Sequence, residues 1–184
     1  MERLVAMEKR LNLPQVRKYL GIDVGIAFTA FVRKEGTCFT NYGGLQQTTK
    51  FKSMEVLQDN LLNYLDSAEG RKLWEGVDVV GVERHWRGNR PTMVSSTLNC
   101  LEFTLRLFFM FHGINVIMVP AASYKRMLKQ CTGTYKDNKV KAGMYALEKL
   151  EGVKVNDNEL KGRIHDYGDA AMICDYLTQK QNKQ

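Results

Sequence analysis

The stretch KYLGIDVGIAFTAF, residues 18–31, decides how the rest of the chain is read. It is rich in aliphatic and aromatic side chains and punctuated by glycine, the pattern of a buried strand that turns into a second one. Asp23 sits inside it. A carboxylate in an apolar strand is costly unless something pairs with it. Gly21 and Gly25 bracket Asp23. Glycine at such places lets a backbone or a phosphate come close, or simply makes a bulge or turn.

Outward from this stretch, glycine-bearing turns separate short β-rich pieces, giving three antiparallel strands over about 18–25, 27–33 and 37–43. SMEVLQDNLLNYLDSAEGRKLW has helical spacing, with Val56, Leu57, Asn60, Leu61, Tyr64 and Leu65 along one side. Ser53 is its expected N-cap, with Glu55 in the first turn. GVDVVGVERHW is a further buried strand that ends in charge, and SSTLNCLEFTLRLFFMFHG is an apolar helix closed by Gly113. INVIMV is another strand, stopped by Pro120, and the remainder is mostly helical. The order β-β-β-α-β-α-β-α, plus further helices, predicts an α/β fold: a mixed five-stranded sheet, antiparallel meander first and parallel strands after, flanked by helices. Residues 1–17 precede this domain as an N-terminal extension. Leu4, Val5 and Leu11 form a short stripe there that Pro14 interrupts, and an appendage, a DNA-contacting arm and a disordered tail all remain open.

The chain has 184 residues, the size of one domain with room for a sizeable core. Its net charge of +7 points to a polyanionic partner, nucleic acid or an anionic surface, or to nothing more than surface lysine. No segment is apolar for long enough to span a membrane, and the N-terminus lacks the layout of a secretory signal. The four cysteines are widely spaced, with no CxxC pair, so neither a zinc site nor a disulfide framework is expected. Free thiols in an intracellular, reducing compartment are expected instead.

Asp23 has company. Glu83 ends the strand DVVGVE, and Asp166 and Asp169 open the last helix with the i, i+3 spacing that puts both on one face. If the first and fourth strands are neighbours, Asp23 and Glu83 are adjacent, and a helix start crossing the sheet adds the other two. Taken singly, each has a plain explanation: a structural aspartate, a solvated strand exit, a helix cap. Together they would repel one another unless cations intervene. Hard oxygen ligands suit Mg²⁺, with Mn²⁺ able to substitute. Two such ions in one site are the common device for phosphodiester hydrolysis.

GIDVG, GVERHW and HDYGDAAMICDY resemble the acidic motifs of the RNase H-like fold, and in particular those of RuvC-type Holliday junction resolvases of the poxvirus-like viral branch. The resemblance runs from about Lys18 to Tyr176. It implies a homodimeric, Mg²⁺-dependent endonuclease with two metals per site. Such an enzyme resolves four-way DNA junctions by paired symmetric nicks, leaving 5′-phosphate and 3′-hydroxyl ends. It implies Asp23, Glu83, Asp166 and Asp169 as metal ligands and Lys125 as the catalytic lysine. For a viral protein it also implies the cytoplasm of the infected cell.

The loop ERHWRGNRP follows Glu83 and carries Arg84, Arg87 and Arg90 around His85 and Trp86. Guanidinium groups suit phosphates and an indole suits an unstacked base at a branch point, although a solvated loop with a tucked-in Trp86 reads the same. Arg126, Lys129, Lys136 and Lys139 form a second basic run near Lys125. Phosphate contacts of this kind are salt-dependent and indifferent to base sequence, so junction preference must come from shape. His85 reads as a loop or supporting histidine, and His165 as a residue that orients a ligand or caps the helix. In LEFTLRLFFMFHG the apolar residues Leu101, Phe103, Leu105, Leu107, Phe108, Phe109, Met110 and Phe111 exceed one stripe. A covered central helix or a twofold interface would use the surplus, and the resemblance favours the dimer.

Three other readings compete. GIDVG alone also fits the first strand of an actin-like or sugar-kinase-like ATPase, which needs a second similar domain that this length does not allow. A non-catalytic DNA-binding dimer would have no use for four acids. Another nuclease of the superfamily, acting on RNA–DNA hybrids or other branched DNA, differs only in substrate.

Overall fold

The computed structural model describes residues 16–47, 53–85, 92–127, 134–150 and 162–181. The decisive stretch forms β1 (Lys18–Asp23), whose alternation sends Leu20 and Ile22 to one face and Tyr19, Gly21 and Asp23 to the other. Both faces are covered, which is why the strand reads as continuously apolar. β2 (Phe28–Glu35) and β3 (Cys38–Gln46) complete an antiparallel meander, turning at Gly36 with φ +58°. β4 (Val79–Arg84) pairs with β1 in parallel, and β5 (Asn115–Pro120) with β4 in parallel. The strand order β3-β2-β1-β4-β5 is the mixed sheet that the element order predicts, with β1 at its centre. β1 ends at Asp23 rather than two residues later, because Gly25 makes a tight turn in which an added Cβ would run into the carbonyl of Phe28.

One face carries α1 (Met54–Asp66), α2 (Ala68–Trp74) and α3 (Met93–Phe111). Leu57, Leu61 and Leu65 of α1 meet Leu101, Leu105 and Phe109 of α3 above Leu20 and Ile22. Each such side chain contributes about 1.5–3 kcal/mol on burial. The expected run over residues 53–74 is two helices, not one. Ser67 adopts φ −67°, ψ 160°, and its hydroxyl accepts from the Gly70 amide at 3.1 Å, so it caps a new helix. Ser53 stands at the first N-cap with Glu55 in the first turn, as expected, although its side chain makes no capping bond. α3 starts earlier than the apolar pattern suggests, because Thr92 and Ser95 form a reciprocal capping box. It buries Leu101, Leu105, Phe108 and Phe109 but leaves Phe103, Met110 and Phe111 exposed, Phe111 at 86%. The surplus is therefore a true outer stripe of this protomer.

The opposite face carries α4 (Ala121–Met127), α5 (Tyr135–Lys149) and α6 (Ile164–Gln181). Gly21 and Gly81 face each other in the β1–β4 register. A side chain at Gly21 would collide with the Ala170 carbonyl of α6, and one at Gly81 would meet Ile173 at 2.5 Å. The glycine pair is thus a trough into which α6 sinks. Gly168 brings α5 equally close to α6, against the Ala142 carbonyl. A buried Lys34 ion-pairs with Asp175, which also accepts from the Tyr145 hydroxyl, tying β2, α5 and α6 together. No helix among the described residues is long and apolar enough to cross a membrane. Residues 1–15 of the expected extension lie outside the described residues.

Candidate active site

Parallel pairing of β1 with β4 brings the C-terminal ends of both strands to one edge of the sheet. Ile22 partners Val82, so the next residues, Asp23 and Glu83, stand side by side. Because Ala170 lies over Gly21, the preceding turn of α6 reaches this edge and delivers Asp166 and Asp169. A cavity of about 410 Å³ opens where they meet, lined by all four acids together with Lys125 and His85. Lys139, Arg163, His165 and Asn138 also line it, Arg163 and His165 beside Asp166.

The polar contacts show how the charges are managed. Glu83 is 7% exposed, and its Oε1 accepts from the hydroxyl of fully buried Tyr124 at 2.8 Å. Lys125 Nζ lies 3.4 Å from Asp169 Oδ2. His165 Nε2 lies 2.9 Å from Asp166 Oδ1, and Arg163 approaches the other oxygen at 3.7 Å while its guanidinium stacks 5.6 Å from the Phe28 ring. Asp166 Oδ2 and Asp169 Oδ1 are buried with no hydrogen-bond partner. Two orphaned carboxylate oxygens in one cavity are expensive unless a cation takes them.

Ionisation follows the same crowding. Burial pushes the Asp23 carboxyl well above its usual range, reinforced by its hydrogen bond to Glu83 and by the charges of Glu83, Asp169 and Asp166. Asp169 is pushed up to about 7 by burial, against the pull of Lys125 and with repulsion from Glu83. Burial likewise raises Asp166, partly offset by His165, Arg163 and Lys139. Glu83 is the exception. Burial opposes its charge, but the hydrogen bond from Asp23, the charges of His85 and Lys125 and the Tyr124 hydroxyl outweigh it and hold it low. Of this hydrogen-bonded pair, Asp23 is the one biased towards the protonated form and Glu83 towards the ionised one. Burial also opposes the charge on Lys125, yet the surrounding acids raise its pKa.

An all-oxygen donor set, with two buried oxygens that accept no hydrogen bond, fits a hard divalent cation rather than zinc. The side chains are not drawn into a finished cage: no group of three or more His, Cys, Asp or Glu among the described residues converges that tightly. Held apart by a proton, by Lys125 and by His165, the acids would have to exchange those partners for metal.

Of the other expected site residues, Lys139 lines the cavity, whereas Arg84, Arg126 and Lys136 are exposed and stand outside it. Trp86, Arg87, Arg90 and Lys129 lie outside the described residues. Gly21 was expected to clear room for a phosphate or a backbone, and the occupant is the backbone of α6. Four residues of the site were not anticipated: Tyr124, Asn138, Arg163 and Glu102. Glu102 carried the same signal as Asp23, a carboxylate in an apolar pattern. It is 5% exposed on α3 and accepts from His85 at both its backbone N–H and its ring, at 3.0 and 2.8 Å.

No protein-family model matches the chain, and no curated protein matches it in sequence. Solved structures do match it in shape. Thermus thermophilus RuvC in complex with a Holliday junction substrate superposes with a TM-score of 0.61 at 12% identity, over 90% of this chain and 96% of that one. A further Thermus thermophilus RuvC structure gives 0.58 at 12% identity, over 89% and 96% of the two chains. The yeast mitochondrial Holliday junction resolvase Ydc2 gives 0.58 at 17% identity, over 99% and 86%. The fold is therefore the RNase H-like α/β fold in its RuvC-like form.

Proposed function

We propose that the chain is a divalent-metal-dependent endonuclease that resolves four-way DNA junctions. One observation carries this most: acids from β1, β4 and α6 meet in a single cavity, with two buried oxygens lacking hydrogen-bond partners and with Lys125, Lys139 and Arg163 also in its lining. The proteins of similar fold named as Holliday junction resolvases, one of them bound to its junction, support the substrate.

Asp23, Glu83, Asp166 and Asp169 would hold the cations, Mg²⁺ by preference with Mn²⁺ as a substitute, two to a site. Cations held there would supply activation of the attacking water and polarisation of the scissile phosphate. The chain supplies the rest. Tyr124 fixes Glu83 from below. Lys125, paired with Asp169 in the absence of DNA, is placed to neutralise charge gathering on the phosphate as the P–O3′ bond breaks. Water adds to phosphorus and the 3′ oxygen departs, leaving 5′-phosphate and 3′-hydroxyl ends. Lys139 and Arg163 stand where the strand's neighbouring phosphates would pass. Arg84, Arg126 and Lys136, with Trp86, Arg87, Arg90 and Lys129, complete the DNA-binding set.

The exposed stripe Phe103, Leu107, Met110 and Phe111 on α3 is apolar enough to want a partner. A second copy packed there about a twofold axis would present two sites to two symmetric strands, as paired nicking requires. The poxvirus-like resemblance of the motifs adds a viral origin and an infected-cell cytoplasm to the proposal. Cys38, Cys100 and Cys174 are free thiols, in keeping with a reducing compartment.

Incubation with a synthetic four-way junction, a linear duplex and an RNA–DNA hybrid, with and without Mg²⁺, tests the reading. Symmetric nicking of the junction alone, only with metal, is expected. Preferred cleavage of the hybrid would replace the substrate, and binding without cleavage in any metal would remove the enzyme.

A further inference from the structure

Glu102 is a buried carboxylate that the chemistry above leaves unused. It sits on α3 beside Leu101 and one turn before Leu105, on a face that otherwise buries hydrocarbon. Its Oε1 accepts twice from one residue: from the His85 backbone N–H at 3.0 Å and from His85 Nδ1 at 2.8 Å. An ionised carboxylate only accepts, so Nδ1 carries a hydrogen in this contact, and the ring lines the cavity beside Glu83. Nε2 lies 3.8 Å from Glu83 Oε2. The other Glu83 oxygen is held by Tyr124 at 2.8 Å.

We propose that Glu102 is a positioning residue: through His85 it pins the exit of β4 to α3 and sets the direction of the imidazole, and so the orientation of the Glu83 carboxylate. A bond to the backbone amide alone would be explained by satisfying a donor. The second bond, to the ring, adds orientation. It holds the ring so that Nε2 stands 3.8 Å from Glu83 Oε2, beyond hydrogen-bond range, while the amide bond fixes the backbone two residues past Glu83. Glu83 is thus flanked by two groups anchored on different helices, α3 and α4. The inference rests on the proposed reading of Glu83 as a metal ligand, and the experiment separates the two.

Two variants divide the possibilities. Glu102→Gln keeps an acceptor oxygen of the same reach, whereas Glu102→Leu keeps volume and removes the acceptor. In metal-free protein, ¹⁵N-histidine spectra assigned with His85→Gln should show His85 as the Nδ1–H tautomer in wild type and in Glu102→Gln, and not in Glu102→Leu. Calorimetry with Mn²⁺ should show binding weakened about 10- to 100-fold in Glu102→Leu and by less than about threefold in Glu102→Gln, the range for losing a group that orients a ligand. If Glu102→Leu does not fold, His85→Ala takes its place in the calorimetry and should weaken Mn²⁺ to the same extent. An unchanged tautomer in Glu102→Leu, or wild-type Mn²⁺ affinity in Glu102→Leu or His85→Ala, overturns the proposal. If wild type binds no Mn²⁺, the metal reading of Glu83 fails, and the imidazole signature alone decides whether Glu102 positions His85.

Discussion

Asp169→Asn should make the metal-free protein more stable while destroying its activity. Asp169 is raised from 3.8 to about 7 because it is buried among other acids. In the unfolded chain it ionises near its ordinary value. Above that value the unfolded state gains by losing the proton, and the folded state cannot follow until about pH 7. The cost is absent at low pH, grows as pH rises and is complete once the folded group has titrated. A shift of 3.2 units (7 − 3.8) is worth about 4 kcal/mol at the plateau, taking 1.36 kcal/mol per unit. Asp169 titrates together with the neighbouring acids, whose ionisation readjusts with it, which relieves part of this and leaves about 1–3 kcal/mol. Asparagine carries no such charge and still offers an oxygen to Lys125. Urea unfolding in EDTA at a series of pH values is the assay. The advantage of Asp169→Asn should be small near pH 4, widen to about pH 7 and then stay level. Mg²⁺ should stabilise wild type and do little for the variant. A variant less stable than wild type in EDTA above neutrality, or an advantage independent of pH, would refute the account of the acids as mutually frustrated.

Asp23→Asn and Glu83→Gln should each lower junction cleavage by at least about 100-fold while leaving junction binding in Ca²⁺ close to wild type; a variant that cleaves normally is not a ligand. Arg163→Gln and Lys139→Gln should each weaken junction affinity and lower the slope of log K against log salt by about 1, measured by anisotropy titrations; an unchanged slope would take that side chain out of the DNA path. Phe103→Glu combined with Phe111→Glu should give a folded monomer where wild type sediments as a dimer at micromolar concentration, and a monomeric wild type would remove the twofold interface. Gly21→Ala should cost about 1–3 kcal/mol in urea unfolding, since its methyl meets the Ala170 backbone and not a side chain that can swing away; wild-type stability would mean that α6 does not sit in the trough.

The sequence disclosed the acids because each broke a local rule. Asp23 interrupts a strand, Glu83 ends one, and Asp166 and Asp169 share a helix face, and all of this is visible within a few residues of each. The mixed sheet was legible for the same reason: its strands are short, apolar and divided by turns. What stayed hidden depends on which layers meet. Tyr124 matters because α4 lies beside the end of β4, and Glu102 because α3 lies beneath its exit, and neither adjacency is written locally. The break at Ser67 was masked by apolar spacing that runs on through α1, although the serine and Gly70 three residues later were there to be read. Gly21 leaves a phosphate, a backbone or a simple turn equally open in the sequence, because a glycine beside a site residue and a glycine under a crossing helix look alike in one dimension.

That last ambiguity bears on why the acids meet at all. Asp23 and Glu83 are brought together by the sheet, through parallel pairing of β1 and β4. Asp166 and Asp169 come from a distant helix that reaches backbone contact with the centre of the sheet because Gly21 and Gly81, paired in register, let it sink there. With any side chain at those positions α6 would ride higher, and its first turn would move away from the edge where Asp23 and Glu83 stand. A displacement of about 1 Å is enough to cost catalysis on the order of 100-fold. The glycines therefore belong to the site as much as the acids do, although they touch neither metal nor DNA. The trough sets how deeply the acids of α6 are buried beside Asp23 and Glu83, and that burial, with the charge of Glu83, raises the pKa of Asp169 and leaves two carboxylate oxygens without the hydrogen bonds that a cation would replace.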